Sequence, residues 1–184
     1  MRIVLLAAGL GMLAAPALGA GFTVTTPDFV DGGTIPMAQV FNARGCTGGN
    51  HSPALAWSGE PAGTQSFAVT LYDPDAPARG GWWHWTVFNI PAGVHRLPED
   101  AGAPGSALLP PGAGQGRSDF GASHYEGPCP PVGANPHRYQ LTVYALKVAH
   151  LPLDADASGA KVGAMLNADA LATAQVTGHY GRLR

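Results

Sequence analysis

The stretch "YDPDAPARGGWWHW", Tyr72–Trp85, stands between two runs of β-forming residues. The run "QSFAVTLYD" and the run "WWHWTVFNI" are apolar on both faces, which is typical of strands covered from two sides in the centre of a sheet. Asp, Pro and Gly between these runs favour a tight turn. The stretch therefore predicts a turn between two buried strands. It also places Asp73 and His84 as neighbours that could form one wall of a polar pocket.

A third strand is predicted further along the chain, in "HRYQLTVYALKV", His137–Val148. Side chains of a strand alternate between its faces, so His137 and Tyr139 share one face while Arg138 lies on the other. The Arg138 guanidinium needs an acidic partner, and Asp75 is the expected one. The strand therefore presents a histidine and a tyrosine side by side.

The other segments read as a long loop and one helix. Residues 91–133 are dense in Gly and Pro, and a loop of this length in a compact domain is usually functional. The alanine-rich segment 154–176 predicts a helix that is capped by Asp156 or Ser158 and stopped by Gly178. The predicted fold is mostly β: a two-sheet β-sandwich with a small helical C-terminal part.

Composition limits the classes of partner. A chain of 184 residues suits one domain, and 46% hydrophobic residues are enough for a core. The net charge is -2, and the 10 Lys and Arg residues form no run. We therefore expect neither nucleic-acid binding nor a polybasic membrane patch.

Residues 1–20 have the pattern of a signal peptide. Arg2 supplies a positive charge, Ile3–Leu13 an apolar core, and Ala17–Gly19 a small-residue cleavage site. The apolar stretch is interrupted by Gly and Pro and is shorter than the ~20 residues of a membrane span. We expect an exported protein, periplasmic or secreted, whose mature part, residues 21–184, is a single domain without a transmembrane segment.

Export makes the two cysteines informative. Cys46 lies in "RGCTGGNHSP" and Cys129 in "GPCPPVG". An even number of cysteines in an exported chain favours a disulfide, since the compartment permits one. The alternative is two separate buried thiols.

Sequence patterns of known catalytic chemistries are absent or weak. Three histidines and an aspartate, His84, His124, His137 and Asp73, could meet around a metal, although no closely spaced zinc motif is present. There is no G-x-S-x-G elbow, phosphate-binding loop or dinucleotide fingerprint. We expect a non-enzymatic protein with no catalytic residue, metal or cofactor. A hydrolase that uses the His/Asp cluster is an alternative.

Taken together, the polar segments resemble a known family. The segments "NHSPALAW", "YDPDAP", "WWHWTVFNIP", "GPCPPVG" and "HRYQLTVYAL" follow one another between Phe41 and Leu146. In this order and spacing they resemble the phosphatidylethanolamine-binding proteins, also called Raf kinase inhibitor proteins, and specifically their bacterial branch. Two positions depart from the eukaryotic pattern: Trp83 replaces a second histidine, and Cys129 replaces a glycine.

The resemblance implies a β-sandwich with a small pocket for phosphate or phosphorylated head groups of the phospholipid type. Carried over by position, the ligand-binding residues are Asp73, Asp75, His84, Pro130, Pro131, His137 and Tyr139. A protein partner could engage the surface. Inhibition of a protease or kinase through that surface is the alternative function.

The chemistry of these side chains suits an oxyanion. Two imidazoles, a phenol and loop N–H groups can all donate hydrogen bonds to it. A free carboxylate would repel a phosphate, so Asp73 is expected to orient an imidazole instead. The tryptophans of "WWHW" are expected to form an apolar rim and back wall.

Overall fold

The computed structural model describes residues 21–183, so the predicted signal peptide lies outside the described residues. Eight strands and one helix follow in chain order: β1 Thr23–Thr25, β2 Leu55–Ser58, β3 Ser66–Asp73, β4 Trp82–Pro91, β5 Arg96–Leu97, β6 Gly114–Gln115, β7 His137–Leu146, α1 Gly159–Asp169 and β8 Ala170–Tyr180. The three strands predicted from the apolar runs are confirmed as β3, β4 and β7.

The strands form two antiparallel sheets. The larger sheet has the order β6-β4-β3-β7-β8, and the smaller has the order β1-β2-β5. β3 lies in the middle of the larger sheet, and seven of its eight residues are buried. The sequence of β3 is apolar on both faces because both faces of the strand are buried. The prediction of a mostly β, two-sheet fold with a small helix is confirmed.

Each face of the large sheet has its own core. One face packs against the small sheet through a cluster that includes Phe67, Trp85 and Leu141. The other face packs against α1, whose Val162 and Leu166 are fully buried. This two-sided burial holds the central strands rigidly, and their ends carry the polar residues described below.

Helix α1 begins where the sequence predicted. The Ser158 side chain accepts a hydrogen bond from the Lys161 N–H at 3.3 Å, as an N-cap does. Trp83 lies directly against the first turn, and a Cβ on Gly159 would overlap its indole. Glycine is therefore needed there for the helix to approach the sheet. No helix within residues 21–183 has the length and hydropathy required to cross a membrane.

The prediction that the helix extends to residue 176 is wrong. The helix ends at Asp169, and Ala170–Tyr180 forms the edge strand β8, paired with β7 along its length. Gly178 does not stop a helix. It lies within β8, where a side chain would overlap Ile35. Alanine-rich composition favours a helix locally, but a ladder along β7 and burial of Val176 outweigh that preference.

Cys46 and Cys129 form a disulfide that joins positions 83 residues apart, in agreement with the cysteine count. The bridge connects the loop before β2 to the loop before β7. These loops are also joined by a hydrogen bond from the Phe41 N–H to the Pro128 carbonyl, at 3.1 Å.

Candidate functional site

A pocket of about 230 Å³ opens at the end of the central strands. β3 runs antiparallel to both β4 and β7, so the end of β3 lies beside the beginnings of its two neighbours. This topology gathers residues that are distant in sequence. The lining residues are Asp73, Ala76, Pro77, Ala78, Trp82, His84, Phe120, Cys129, Pro130, Pro131, His137 and Tyr139.

A buried carboxylate holds one of the two pocket histidines. His137 Nδ1 donates to Asp73 Oδ2 at 2.7 Å, and both side chains are more than nine-tenths buried. The other carboxylate oxygen of Asp73 accepts the Asp75 N–H at 2.9 Å. Asp73 therefore orients an imidazole, as expected, and it leaves Nε2 of His137 as the nitrogen that remains for a ligand.

Main-chain carbonyls hold the other pocket histidine. His84 Nδ1 donates to the carbonyl oxygens of Glu126 at 2.8 Å and Gly127 at 3.1 Å. Burial lowers the pKa of His84 below its usual value of 6.5, although these carbonyls and the Asp73 carboxylate act in the opposite direction. A neutral His84 carries its proton on Nδ1 and presents the lone pair of Nε2 to the pocket.

Two residues that line the pocket carry buried donors. The Tyr139 hydroxyl and the Trp82 indole N–H are buried, and neither makes a well-aligned hydrogen bond within residues 21–183, although the Asp73 carboxylate lies close enough to the phenol to help raise its pKa. Burial raises the pKa of Tyr139 above its usual value of 10.0, so the phenol keeps its proton. Buried donors are normally satisfied, so these two are available for acceptor atoms of a ligand.

Apolar side chains complete the wall. The Phe120 ring lies edge-on to Trp82 and His84, at centroid distances of 5.2 and 5.4 Å. Pro130 and Pro131 close the side nearest the disulfide. No Lys or Arg is among the described lining residues, but two guanidinium groups contact them: Arg44 lies over the Phe120 ring at 5.4 Å from its centroid, and Arg182 donates to the Pro130 carbonyl at 3.3 Å.

Asp75 lies outside the pocket wall. Its carboxylate accepts two hydrogen bonds from the Arg138 guanidinium, at 2.9 and 2.7 Å, and one from the Arg138 N–H. The guanidinium lowers the pKa of Asp75 to about 2. The structure therefore places Asp75 with Arg138, the partner expected from the sequence, and the other six predicted ligand residues around one cavity.

The tryptophans of "WWHW" separate instead of forming one wall. Trp82 alone lines the pocket, whereas Trp83 packs against α1 and Trp85 lies in the core between the sheets. The two-residue period of a strand puts Trp82 on the face of His84, so this signal could have identified Trp82. Phe120 was also missed, because nothing in a long irregular loop indicates which side chain turns inward.

The possible metal cluster does not assemble. His124 lines a different cavity, together with His51, Asp100 and Glu126. Within residues 21–183 no group of three or more His, Cys, Asp or Glu side chains could hold a metal ion.

Comparison with known proteins agrees with the fold. The chain is 51% identical to the UPF0098 protein YbcL of Escherichia coli K12 over 180 residues, 98% of each chain. It is 47% identical to YbhB of the same strain, over 83% of this chain and 96% of the other. The crystal structure of E. coli YbcL matches with a TM-score of 0.86 at 54% identity, covering 88% of this chain and 99% of that one. A Chlamydia trachomatis structure described as a homologue of phosphatidylethanolamine-binding proteins matches with a TM-score of 0.72 at 29% identity, covering 88% and 98%.

Fold and site together define a β-sandwich with a histidine-lined pocket at one end of its larger sheet. The model of the phosphatidylethanolamine-binding protein family matches residues 25–181. The chain belongs to this family, and the resemblance stated from the sequence is confirmed.

Proposed function

We propose that this protein is an exported, non-enzymatic binding protein whose pocket takes a small oxyanion, a phosphate or a phosphorylated head group. One observation carries the proposal. Two buried donors without a well-aligned partner, Tyr139 O–H and Trp82 N–H, belong to residues that line the same cavity as His84 and His137. A tetrahedral oxyanion has enough acceptor atoms to satisfy all four groups.

The charge of the pocket makes this binding depend on pH. The Nδ1 atoms of both imidazoles are donors already, so either Nε2 can donate to an anion only when its ring is doubly protonated. The lining contributes one carboxylate, Asp73, and no Lys or Arg among the described residues. An oxyanion therefore binds together with protons, and its affinity rises as the pH falls.

The lining also favours binding over catalysis. The sulfur of Cys129 is in a disulfide, and the twelve described lining residues include no Ser, Thr or Lys. The Asp73 carboxylate, which could also act as a nucleophile, is already hydrogen-bonded to His137. Export is supported by the leader pattern of residues 1–20 and by the disulfide, which an oxidising compartment stabilises.

Titration with inorganic phosphate and with phosphoethanolamine, followed by NMR at about pH 5.5 and about pH 7.5, tests the proposal. We expect shifts of the His84 and His137 ring resonances, with tighter binding at the lower pH. Affinity should fall about tenfold per pH unit for each proton taken up, once the pH exceeds the pKa of the ring. Sulfate, whose charge is constant over this range, separates protonation of the protein from protonation of the ligand.

Two variants provide controls. Tyr139→Phe removes one donor and should weaken binding of both probes, whereas Tyr72→Phe alters a tyrosine outside the pocket, which donates to the Gly80 carbonyl, and should not. Unshifted His84 and His137 resonances in the wild type, at millimolar phosphate and the lower pH, would refute the proposal.

A further inference from the structure

The orientation of His84 depends on a residue outside the pocket. Asn50 lies in the loop before β2 and has a left-handed backbone, with φ of 56°. Asparagine tolerates this conformation better than most residues. Its N–H donates to the Val40 carbonyl at 2.8 Å, which fixes the direction in which the side chain leaves the loop.

The Asn50 amide holds the peptide units on both sides of Glu126. Its Nδ2 donates to the Tyr125 carbonyl at 3.2 Å, and its Oδ1 accepts the Gly127 N–H at 2.8 Å. A flipped amide would set its NH₂ against the Gly127 N–H and its oxygen against the carbonyl. The two contacts therefore define one amide orientation, and they define the orientation of the 125–127 main chain as well.

That main chain in turn holds His84. The carbonyls of Glu126 and Gly127 both accept from His84 Nδ1, and the Glu126 N–H donates to the His84 carbonyl at 3.2 Å. Two carbonyls can only accept, so the ring nitrogen between them must carry a proton. The ring consequently presents Nε2 to the pocket without a proton whenever it is neutral.

We infer that Asn50 is a positioning residue, which fixes the Nδ1–H tautomer of His84 and thereby makes anion binding at Nε2 depend on uptake of a proton. Without the amide, the 126–127 carbonyls can turn away from the ring. The neutral ring can then place its proton on Nε2 and donate to an anion directly. The first half of this inference, the tautomer of His84, concerns the ligand-free protein. The second half, the proton dependence of anion binding, rests on the proposed oxyanion site.

Other charged groups near His84 do not select a tautomer. The carboxylates of Asp73 and Asp119 favour a charged ring, from β3 and from the loop after β6. Tyr139, on β7, lies edge-on to the ring with centroids 5.3 Å apart, and His137 lines the same cavity. The Glu126 carboxylate is hydrogen-bonded to Ser118. Among the described residues, only the two carbonyls contact His84 Nδ1.

Two variants separate the amide from the backbone conformation. Asn50→Gly removes both amide contacts while retaining a residue that accepts a positive φ. Asn50→Asp keeps an acceptor for the Gly127 N–H but loses the donor to Tyr125. Asn42→Gly is the matched control, because Asn42 lies in the same loop and lines the same outer cavity as Asn50, and its side chain has no hydrogen bond within residues 21–183.

The measurement is the protonation pattern of the ring nitrogens, from two-bond ¹H–¹⁵N NMR spectra of the ligand-free protein above the pKa of His84. We expect a pure Nδ1–H form for His84 in the wild type and in Asn42→Gly. In Asn50→Gly we expect a substantial Nε2–H fraction, with Asn50→Asp between the two. An unchanged His137 pattern shows that the pocket is still folded.

A pure Nδ1–H form of His84 in both folded Asn50 variants would overturn the inference, even if both melt at lower temperature. If Asn50→Gly does not fold, Asn50→Asp alone decides. Sulfate titrations test the second half. The sulfate affinity of the wild type should fall about tenfold per pH unit for each proton taken up, and the affinity of Asn50→Gly should fall less steeply. An equal slope would refute that half. A wild type that binds no sulfate or phosphate refutes the proposed function and leaves the tautomer result standing.

Discussion

His84 and His137 face the same pocket, but different kinds of group hold their Nδ1 atoms. His137 donates to the buried carboxylate of Asp73, whereas His84 donates to two main-chain carbonyls. A carboxylate is a full charge that can pair with an imidazolium. Carbonyls are dipoles that select a tautomer and compensate only partly for burial, which lowers the pKa of His84. One residue type therefore has two different supports within one site.

The supports also differ in where they are anchored. Asp73 ends a strand at the centre of the large sheet, whereas the Glu126 and Gly127 carbonyls belong to a loop that is held by Asn50 and the disulfide. Perturbing the loop should therefore affect His84 more than His137, and perturbing the strand end should do the reverse. The predictions below test this difference.

The largest effect is expected from the disulfide. Replacing both Cys46 and Cys129 with Ala should lower the free energy of unfolding by roughly 4 kcal/mol, because the bridge closes a long loop of the unfolded chain. The His84 ring resonances should shift more than those of His137. Urea unfolding and NMR measure the two effects.

Reductant provides the control for this pair of substitutions. It should reproduce both changes in the wild type and have no effect on the variant without cysteines. Equal shifts of the two histidines would contradict the assignment of the disulfide to the His84 side of the pocket.

A smaller effect is expected at the strand end. Asp73→Ala should lower the free energy of unfolding by about 3 kcal/mol, because it leaves the buried His137 ring without its hydrogen-bond partner. Asp73→Asn keeps an oxygen that can accept from Nδ1 and should cost clearly less. The Nδ1–H form of His84 should persist in both variants. Equal losses for Ala and Asn would show that the hydrogen bond to His137 does not stabilise the fold.

The smallest effect is expected at Asp75. The Asp75–Arg138 pair is partly exposed, with 53% of the Arg138 side chain accessible, so Asp75→Asn should cost at most about 1 kcal/mol. The folded pKa of about 2 lies below the ordinary value of 3.8, so this contribution is present above that value and is lost as the pH falls towards 2. Urea unfolding of wild type and variant from about pH 6 to about pH 2 measures the difference.

The phosphate affinity of Asp75→Asn decides whether Asp75 binds the ligand or only pairs with Arg138. An affinity within twofold of the wild type is expected from the position of Asp75 outside the pocket wall. A larger loss would assign Asp75 to ligand binding, as the family resemblance implies.

Much of the site could be predicted from the sequence because it depends on strand period and order. Period two placed His137 with Tyr139 and put Arg138 on the opposite face, and the structure agrees. The same period would have separated Trp82 from Trp83. The edge strand β8 was missed because its alanines favour a helix until a neighbouring strand offers hydrogen bonds.

By itself, the sequence determined the central strands, the turn that carries Asp73, and the need for a partner at Arg138. These follow from local hydrophobic pattern and turn chemistry. Only the tertiary structure decided that Asp73 pairs with His137, which is 64 positions away, and not with His84, which lies on the adjacent strand of the same hairpin. Sheet register sets that choice, because β3 ends beside both β4 and β7. The Asn50 contacts likewise depend on how two loops pack together, and loops have no sequence periodicity from which such contacts could be predicted.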